Sequence, residues 1–246
     1  MRKIENTKFL LPNILTVVNM FCGFFSIIEA MQEKFIAASW LIIIASVFDG
    51  LDGKIARFTN TKSKFGEEFD SLADLISFGI APSVLLYTIS FKTFGNLGIV
   101  LSFIPIVCGA FRLGRFNITS SSEQKRVYLG LPIPVYAVTI ASFILFNISI
   151  WGKIRLEFFL VPLVLLLSIL MASRIKYEKL PRFKLSRNRK NNFSLLYLFT
   201  IFLVIAYFKE QGIFPVTIVI VFHGLIRWII NLIRHNSETA DVSIYD

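Results

Sequence analysis

Long apolar runs, separated by short charged segments, fill most of this sequence and restrict what it can fold into. A helix needs about 20 consecutive apolar residues to cross the hydrocarbon core of a bilayer. Inside that core every backbone polar group must find its hydrogen-bond partner within the protein, which favours helices. The runs therefore predict an all-α polytopic membrane protein with about eight transmembrane helices. The predicted spans are Asn13–Ala30, Phe35–Arg57, Ser71–Phe91, Asn96–Asn117, Leu129–Trp151, Leu156–Ser173, Phe193–Phe208 and Ile213–Ile233.

The distribution of charge predicts an orientation and argues against a nucleic-acid partner. Only 17% of the residues are charged, whereas soluble domains have about 25%. The formal net charge of +10 comes from residues in the short gaps between apolar runs. With eight spans, 21 of the 26 Lys and Arg residues fall on one side of the membrane. The positive-inside rule then predicts a multi-pass protein of the cell membrane with both termini in the cytoplasm.

The same pattern divides the chain into four segments. Residues 1–173 are the predicted catalytic transmembrane core, containing helices 1–6, and residues 193–234 are two C-terminal transmembrane helices. Residues 174–192 form a basic cytoplasmic linker, which could lie on anionic lipid or be a solvated connection. Residues 235–246 are a polar tail.

Four aspartates lie in a short stretch where the second predicted span ends and the third begins. Asp49 and Asp52 are three residues apart and share a helix face, as do Asp70 and Asp74, which are four apart. One short loop joins the two helices, so antiparallel packing would bring the four carboxylates together at the cytoplasmic interface. Without cations these carboxylates would repel one another and lose hydration.

Divalent cations would remove this repulsion, because Mg²⁺ and Mn²⁺ prefer oxygen ligands. Two ions about 3.5–4 Å apart could stabilise the attacking and leaving oxygens of an in-line displacement at a diphosphate. Gly53 and Ala56 leave the helix face beside the acids bare, and Gly66 does the same beside the second pair. Arg57 could contact a phosphate. The opposing interpretation is that the acids are solvated helix ends and that Asp70 caps the third helix.

The spacing D-x2-D-G-x2-A-R-x8-G-x3-D-x3-D resembles the signature of the CDP-alcohol phosphatidyltransferase family, and the helical pattern extends the resemblance over most of the chain. The resemblance implies transfer of a phosphatidyl-type group from a CDP-activated lipid to a small alcohol. It implies that the first three aspartates bind metal, and that the fourth contacts metal and deprotonates the acceptor hydroxyl. It also implies a nucleotide site lined by the Gly, Ala and Arg positions, and a homodimer. The matching residues are Asp49, Asp52, Gly53, Ala56, Arg57, Gly66, Asp70 and Asp74.

Three further stretches resemble the phosphatidylserine synthase branch of that family. They are PNILTVVN at Pro12–Asn19, SFGIAPS at Ser77–Ser83 and GLPIPVYA at Gly130–Ala137. The resemblance implies that L-serine is the acceptor, and leaves open whether the lipid tails are ester- or ether-linked.

Two other groups of polar residues are candidates for substrate binding. Asn13, Thr16 and Asn19 are three residues apart, so they form a polar stripe on the first helix. This stripe could hydrogen-bond the CDP-lipid, or it could join packed helices. Arg112 and Arg115, at the cytoplasmic end of the fourth span, could bind the serine carboxylate or the donor phosphates, or could end the helix and set the topology.

Three alternative functions remain open at this stage. Another acceptor, such as inositol phosphate, glycerol phosphate or ethanolamine, would leave the rest of the site unchanged. An intramembrane prenyltransferase would also use aspartates and Mg²⁺, but with two acidic clusters far apart in sequence. A cation transporter would usually have its acids near the membrane midplane, whereas these four lie at helix ends.

Overall fold

The computed structural model describes residues 2–59, 63–119, 127–155, 157–178, 208 and 210–242. Within these ranges, side chains are described except at residues 2–11, 57, 119, 127–128, 176–178 and 227–242. The helices are α1 (Arg2–Met31), α2 (Phe35–Phe58), α3 (Lys64–Asp74), α4 (Ala81–Ile89), α5 (Asn96–Thr119), α6 (Ile133–Trp151), α7 (Glu157–Ala172) and α8 (Glu210–Val242). A π-helical turn (Leu75–Ile80), a 3₁₀ turn (Phe91–Phe94) and strands β1 (Val127–Leu129) and β2 (Lys176–Glu178) complete the described elements.

The predicted all-α polytopic architecture is confirmed. Five helical segments of the described residues are long and apolar enough to cross a membrane, and α7 and the first part of α8 are shorter apolar helices. The predicted seventh span, Phe193–Phe208, lies outside the described residues except for its last position. The count of eight therefore stays a prediction. The five long segments are Pro12–Met31, Phe35–Ala56, Lys64–Ile89, Asn96–Ile118 and Ile133–Trp151.

The first two helices form an antiparallel hairpin. The Ser26 hydroxyl donates to the carbonyl of Ala38 at 2.9 Å, and the Thr16 hydroxyl donates to the Asp52 carboxylate at 3.0 Å. Residues near the start of the apolar part of α1, Pro12–Met31, therefore face the end of α2. We call this end of the helix bundle, where α2 ends and α3 begins, the acidic end, and the opposite end the far end.

The third predicted span begins earlier than its apolar pattern indicated. Its helix starts at Lys64 rather than Ser71, because the Ser63 hydroxyl caps it by accepting from the Gly66 amide at 3.0 Å. This is an ordinary N-cap contact. The alternative that Asp70 caps this helix is therefore wrong, since Asp70 lies inside it.

Close packing of small residues, rather than burial of large ones alone, brings the helices together. Lipid tails are as apolar as leucine side chains, so helices in a bilayer associate through close van der Waals contact. Many phenylalanines point outward instead, including Phe21, Phe103 and Phe158. Their lipid-facing positions account for much of the high Phe content, 26 residues. Among the described residues, the alanines with no exposed surface are Ala30, Ala38, Ala45, Ala73, Ala81, Ala137 and Ala141.

The elements that precede and follow the predicted seventh span are β2 and α8. The Leu131 amide donates to the Leu170 carbonyl at 3.0 Å, and β1 pairs antiparallel with β2, so β2 lies beside the end of α7. The start of α8 lies at the far end, where Trp40 Nε1 donates to Glu210 at 3.2 Å. The end of α7 lies at the acidic end, so the two elements that flank residues 179–207 lie at opposite ends of the bundle.

Two features of this region differ from the sequence prediction. The pair of short strands was not expected, and β2 lies within the predicted basic linker. Helix α8 continues to Val242, past the predicted end at residue 234 and into the predicted polar tail. The sequence after residue 234 contains neither Gly nor Pro, the residues that most strongly end helices.

We predict that Gly98→Ala destabilises the protein. A Cβ atom built at Gly98 would collide with the backbone carbonyl of Phe91, which lies in the 3₁₀ turn and cannot move without disturbing it. Overpacking of this kind costs about 1–3 kcal/mol. The midpoint of thermal unfolding of the detergent-solubilised protein should therefore fall by several degrees.

Gly114→Ala is the matched control for this prediction. Gly114 lies in the same helix, and a Cβ atom built there meets nothing within 4 Å. Because alanine has a higher helix propensity than glycine, we expect an unchanged or slightly higher unfolding temperature. An equal loss of stability in both variants would contradict the predicted contact between α5 and the 3₁₀ turn.

Candidate active site

The last turns of α2 and the length of α3 bring the predicted acids together at the acidic end of the bundle. Carboxylate oxygens of Asp49, Asp70 and Asp74 all lie within 4.8 Å of one another. Asp74 is 8% exposed and Asp52 is 3% exposed. The antiparallel arrangement expected from the sequence therefore holds, with three acids from two helices around a common point.

The fourth acid is oriented differently. One oxygen of Asp52, Oδ2, accepts a hydrogen bond from the Thr16 hydroxyl of α1 at 3.0 Å. Asp52 remains close enough to Asp49 and Asp70 to interact with them electrostatically. The acidic cluster, which we define as Asp49, Asp52, Asp70 and Asp74, thus has three members facing one point and one member turned toward α1.

The acidic cluster fits a hard divalent cation. Oxygen separations within 4.8 Å are those found around one such ion. The Oδ1 atom of Asp70 is buried and has no hydrogen-bond partner among the described residues. A buried carboxylate oxygen without a partner is unfavourable, and a cation would satisfy it. The structure supports metal binding here, as the sequence predicted.

Arg112 and Arg115, which are equivalent candidates in the sequence, have different surroundings in the structure. Arg112 is 6% exposed and interacts electrostatically with both Asp49 and Asp74. The guanidinium of Arg115 instead donates to the carbonyls of Leu129, Ala172 and Ser173, at 3.0, 3.1 and 2.8 Å. Two of these carbonyls lie at the end of α7, so Arg115 satisfies groups that a helix end leaves unpaired.

A glycine makes this contact of Arg115 possible. Gly130 has a φ of 77°, a conformation that residues with a Cβ rarely adopt. A Cβ atom built there would lie 2.9 Å from the carbonyl oxygen of Ser173 and 3.0 Å from Nη2 of Arg115. Gly130, the first residue of the GLPIPVYA stretch, therefore allows α5, the start of α6 and the end of α7 to meet.

The polar stripe of α1 lies against the acidic cluster. The Thr16 hydroxyl contacts Asp52, and Asn19 Nδ2 donates to Oδ1 of Asp74 at 3.4 Å. Asn13 is half-buried and faces Gly66, where an added Cβ atom would lie 3.7 Å from its Oδ1. The stripe is thus a continuous face, as the sequence predicted, but its inner members contact carboxylates.

The residues predicted to line the nucleotide site border the cluster on α2. Gly53 and Ala56 are half-buried on the turn that follows Asp49 and Asp52. The side chain of Arg57 lies outside the described part of the structure. Its role, with those of Gly53, Ala56 and Gly66, stays a prediction.

Sequence reasoning missed two polar contacts around the cluster. The Ser77 hydroxyl donates to the backbone carbonyl of Asn19 at 2.9 Å. Asn117, near the end of α5, donates from Nδ2 to Glu68 at 3.0 Å and accepts from the Ser71 hydroxyl at 3.2 Å. Single polar residues at the end of an apolar run carry no periodic signal, so only the spacing to the acids could have suggested them.

We predict that Asp70→Asn weakens Mn²⁺ binding by about tenfold or more, a loss of about 1.4 kcal/mol or more. The substitution removes the negative charge of the ligand whose Oδ1 has no hydrogen-bond partner in the described structure. Electron paramagnetic resonance of free Mn²⁺ during titration of the detergent-solubilised protein would measure the affinity. Without metal, the unfolding temperature should not fall, because the change relieves repulsion among buried acids.

Glu157→Gln is the control, since Glu157 is an exposed acid in the first turn of α7, at the far end. It should bind Mn²⁺ as the unsubstituted protein does. If both variants kept the original affinity, the acidic cluster would not be the metal site.

Comparison with known proteins agrees with this geometry. Residues 9–171 match the family described as CDP-alcohol phosphatidyltransferase. The chain is 37% identical, over 93% of its length and 95% of the relative, to a CDP-diacylglycerol–serine O-phosphatidyltransferase of Helicobacter pylori. It is 36% identical to an archaetidylserine synthase of Methanothermobacter thermautotrophicus, over 69% of this chain and 70% of that one. A protein of Bacillus subtilis with the same name as the first is 34% identical, over 71% and 91%. With its four aspartates gathered at one end of a helical membrane bundle, this protein belongs to the CDP-alcohol phosphatidyltransferase family.

Proposed function

We propose that this protein transfers a phosphatidyl-type group from a CDP-activated lipid to the hydroxyl group of L-serine and releases CMP. The observation that carries the proposal is the convergence of Asp49, Asp70 and Asp74 in a chain whose relatives are named as serine transferases. The archaetidylserine synthase among them leaves ester- and ether-linked lipid donors equally compatible with the site.

The location of the acidic cluster suits both substrates. It lies where two membrane-spanning helices end, so lipid tails can stay in hydrocarbon while nucleotide and serine enter from water. The excess of Lys and Arg on this side, 21 of 26, supports a cytoplasmic active site in the cell membrane, with both termini on the same side. The predicted homodimer remains a further proposal, which the mass of the detergent-solubilised protein would test.

The donor nucleotide is proposed to lie along the end of α2 and the start of α3. Gly53, Ala56 and Gly66 have small side chains, so a planar base and a ribose can approach the backbone. Asn13 faces Gly66 and is half-buried, which suits a hydrogen bond to the nucleotide. Arg57 is proposed to contact a phosphate of the donor.

The proposed reaction is an in-line displacement at the lipid-side phosphorus of the diphosphate. The serine hydroxyl oxygen forms a new bond to this phosphorus, the bond from phosphorus to the CMP oxygen breaks, and CMP leaves with the electron pair. Asp74 accepts the hydroxyl proton, and its 8% exposure keeps bulk water from competing. The proposed ligands of two divalent cations, Mg²⁺ or Mn²⁺, are Asp49, Asp52 and Asp70, and Asp74 also contacts metal. When bound, such ions stabilise negative charge on the diphosphate oxygens.

Arg112 is the stronger of the two candidates for binding the serine carboxylate. In serine the carboxylate lies only a few bonds from the hydroxyl, so the residue that binds it must be near Asp74. Arg112 interacts with Asp74 and Asp49, whereas four hydrogen bonds direct the guanidinium of Arg115 to backbone carbonyls. We therefore propose Arg112 for this role and a structural role for Arg115.

The direct test is CMP release by the purified protein. We predict that CDP-diacylglycerol with L-serine and Mg²⁺ or Mn²⁺ gives CMP at a rate at least tenfold above that with inositol phosphate, glycerol phosphate or ethanolamine. Asp74→Asn should reduce turnover to background while leaving metal binding largely intact. If another alcohol gave faster CMP release, that alcohol would replace serine as the proposed acceptor. If no alcohol gave metal-dependent CMP release, the proposed function would be wrong.

We predict that Arg112→Gln raises the KM for serine by at least about tenfold, because a hydrogen bond to a charged group contributes about 1.5–3 kcal/mol. The KM for the CDP-lipid should change by less than about threefold. Arg115→Gln should instead lower thermal stability while leaving the KM for serine unchanged. A higher KM for serine in the Arg115 variant alone would reverse the assignment.

A further inference from the structure

From the contacts of α1, we propose that Thr16 and Asn19 are positioning residues that hold Asp52 and Asp74 in place, and that they do not bind the nucleotide. The inference rests on the proposed function, since it concerns the proposed metal ligands and base. It changes the interpretation of the polar stripe, whose three members differ in what they touch.

Each of the two residues donates a hydrogen bond to an acid on a different helix. The Thr16 hydroxyl donates to Oδ2 of Asp52 at 3.0 Å, and Asn19 Nδ2 donates to Oδ1 of Asp74 at 3.4 Å. Asp52 belongs to α2 and Asp74 to α3, and Thr16 and Asn19 lie one turn apart on α1. Helix α1 therefore fixes the separation between the two acid-bearing helices.

Asn19 is attached to the segment that carries Asp74 at two points. Besides its amide contact with Asp74, its backbone carbonyl accepts the Ser77 hydroxyl at 2.9 Å. The two backbones also touch here, because a Cβ atom built at Gly23 would lie 2.6 Å from Cα of Ser77. The π-helical turn that starts after Asp74 is thus held against α1, and π-helical turns often occur at functional sites.

Hydrogen bonding separates these residues from a nucleotide-binding role. The Thr16 hydroxyl and the Asn19 Nδ2 atom, the groups that could donate to a nucleotide, are directed at Asp52 and Asp74 instead. Asn19 also has no exposed surface, whereas Asn13, nearer the start of α1, is half-buried and lies beside Gly66. Asn13 therefore remains the only residue of the stripe that suits the nucleotide.

The consequence for catalysis is orientation of the acids. A hydrogen bond from Asn19 to Oδ1 restricts the rotation of the Asp74 carboxylate and so sets the direction of its other oxygen. The bond from Thr16 to Oδ2 restricts Asp52 in the same way. Partners of this kind, which orient ligands without touching the metal, typically change metal affinity or activity by about 10–100-fold when removed.

Thr16→Val tests the proposal with almost no change in volume. It removes the hydroxyl that contacts Asp52, so we expect about tenfold or more weaker Mn²⁺ binding and a similar fall in kcat. The KM for the CDP-lipid, and the Kd of CMP at saturating Mn²⁺, should change by less than about twofold. Thr16→Ser keeps the hydroxyl and should restore Mn²⁺ affinity and kcat.

Thr139→Val is the matched control. Thr139 is a fully buried threonine of α6 whose hydroxyl donates to the Val135 carbonyl of its own helix at 2.7 Å. Its replacement should leave Mn²⁺ affinity, kcat and KM unchanged, which separates loss of positioning from loss of a buried hydroxyl. Asn19→Leu should lower kcat by about tenfold or more through Asp74, with Mn²⁺ affinity largely retained, as we expect for Asp74→Asn.

Different measurements test the positioning role of Thr16 and the proposed function. A raised KM for the CDP-lipid or a raised Kd of CMP in Thr16→Val, with Mn²⁺ affinity retained, would overturn the inference and return the residue to the nucleotide site. The Mn²⁺ and CMP titrations need no turnover. They decide the inference even if the unsubstituted protein fails to release CMP in the presence of serine, which would count against the proposed function alone.

Discussion

Four carboxylates at one end of a membrane-embedded helix bundle repel one another, and the helices around them must compensate for this repulsion. Two like charges 4 Å apart repel by about 4 kcal/mol at an effective dielectric constant of 20. Oxygens of Asp49, Asp70 and Asp74 lie within 4.8 Å of each other. The positive charge of Arg112 and the hydrogen-bond donors of α1 reduce this repulsion. Divalent cations, which suit this oxygen cluster, would complete that compensation.

Holding the acids together also requires helices that approach closely. The approach is close where α1 meets the π-helical turn, because Gly23 has no side chain to separate its backbone from Ser77. A second contact is made by Arg115, whose hydrogen bonds join α5 to the ends of α7 and β1. The helices are therefore held together by contacts that a change of one or two atoms would disturb. Rigid support of this kind is what oriented catalytic groups need.

The sequence predicts the parts of this arrangement that follow from local period and spacing. Runs of apolar residues indicated the spans, and acids three and four residues apart, on helices joined by a short loop, indicated the cluster. Properties that depend on partners distant in sequence could not be predicted. Arg112 and Arg115 have the same type, spacing and helix, yet one faces the acids and the other faces α7. The strand pair and the contact of Ser77 with Asn19 likewise join residues with no common local pattern.

Errors at the helix boundaries have a similar cause. Apolarity marks the part of a helix that lies in hydrocarbon, so it could not reveal that α3 starts at Lys64, where polar residues precede the span. Ser63 supplied the signal that the apolar pattern missed, because a serine three residues before Gly66 can cap a helix as well as an aspartate can. For the same reason, the polar end of α8 was assigned to a tail.

Depth in the membrane explains why one polar stripe of α1 can serve two purposes. Asn13 and Asn19 belong to the same stripe, which winds gradually around the helix, and are separated by about 9 Å along the axis, at about 1.5 Å per residue. The outer position, beside Gly66, is near enough to water for a nucleotide to reach. The inner position is level with Asp74, where the acceptor hydroxyl would have to give up its proton. A stripe with a spacing of three residues therefore extends from the proposed nucleotide site to the proposed base. A CDP-lipid at the membrane interface would have its nucleotide nearer to water and its lipid-side phosphorus deeper. The stripe runs in the same order, from the proposed nucleotide site to the proposed base.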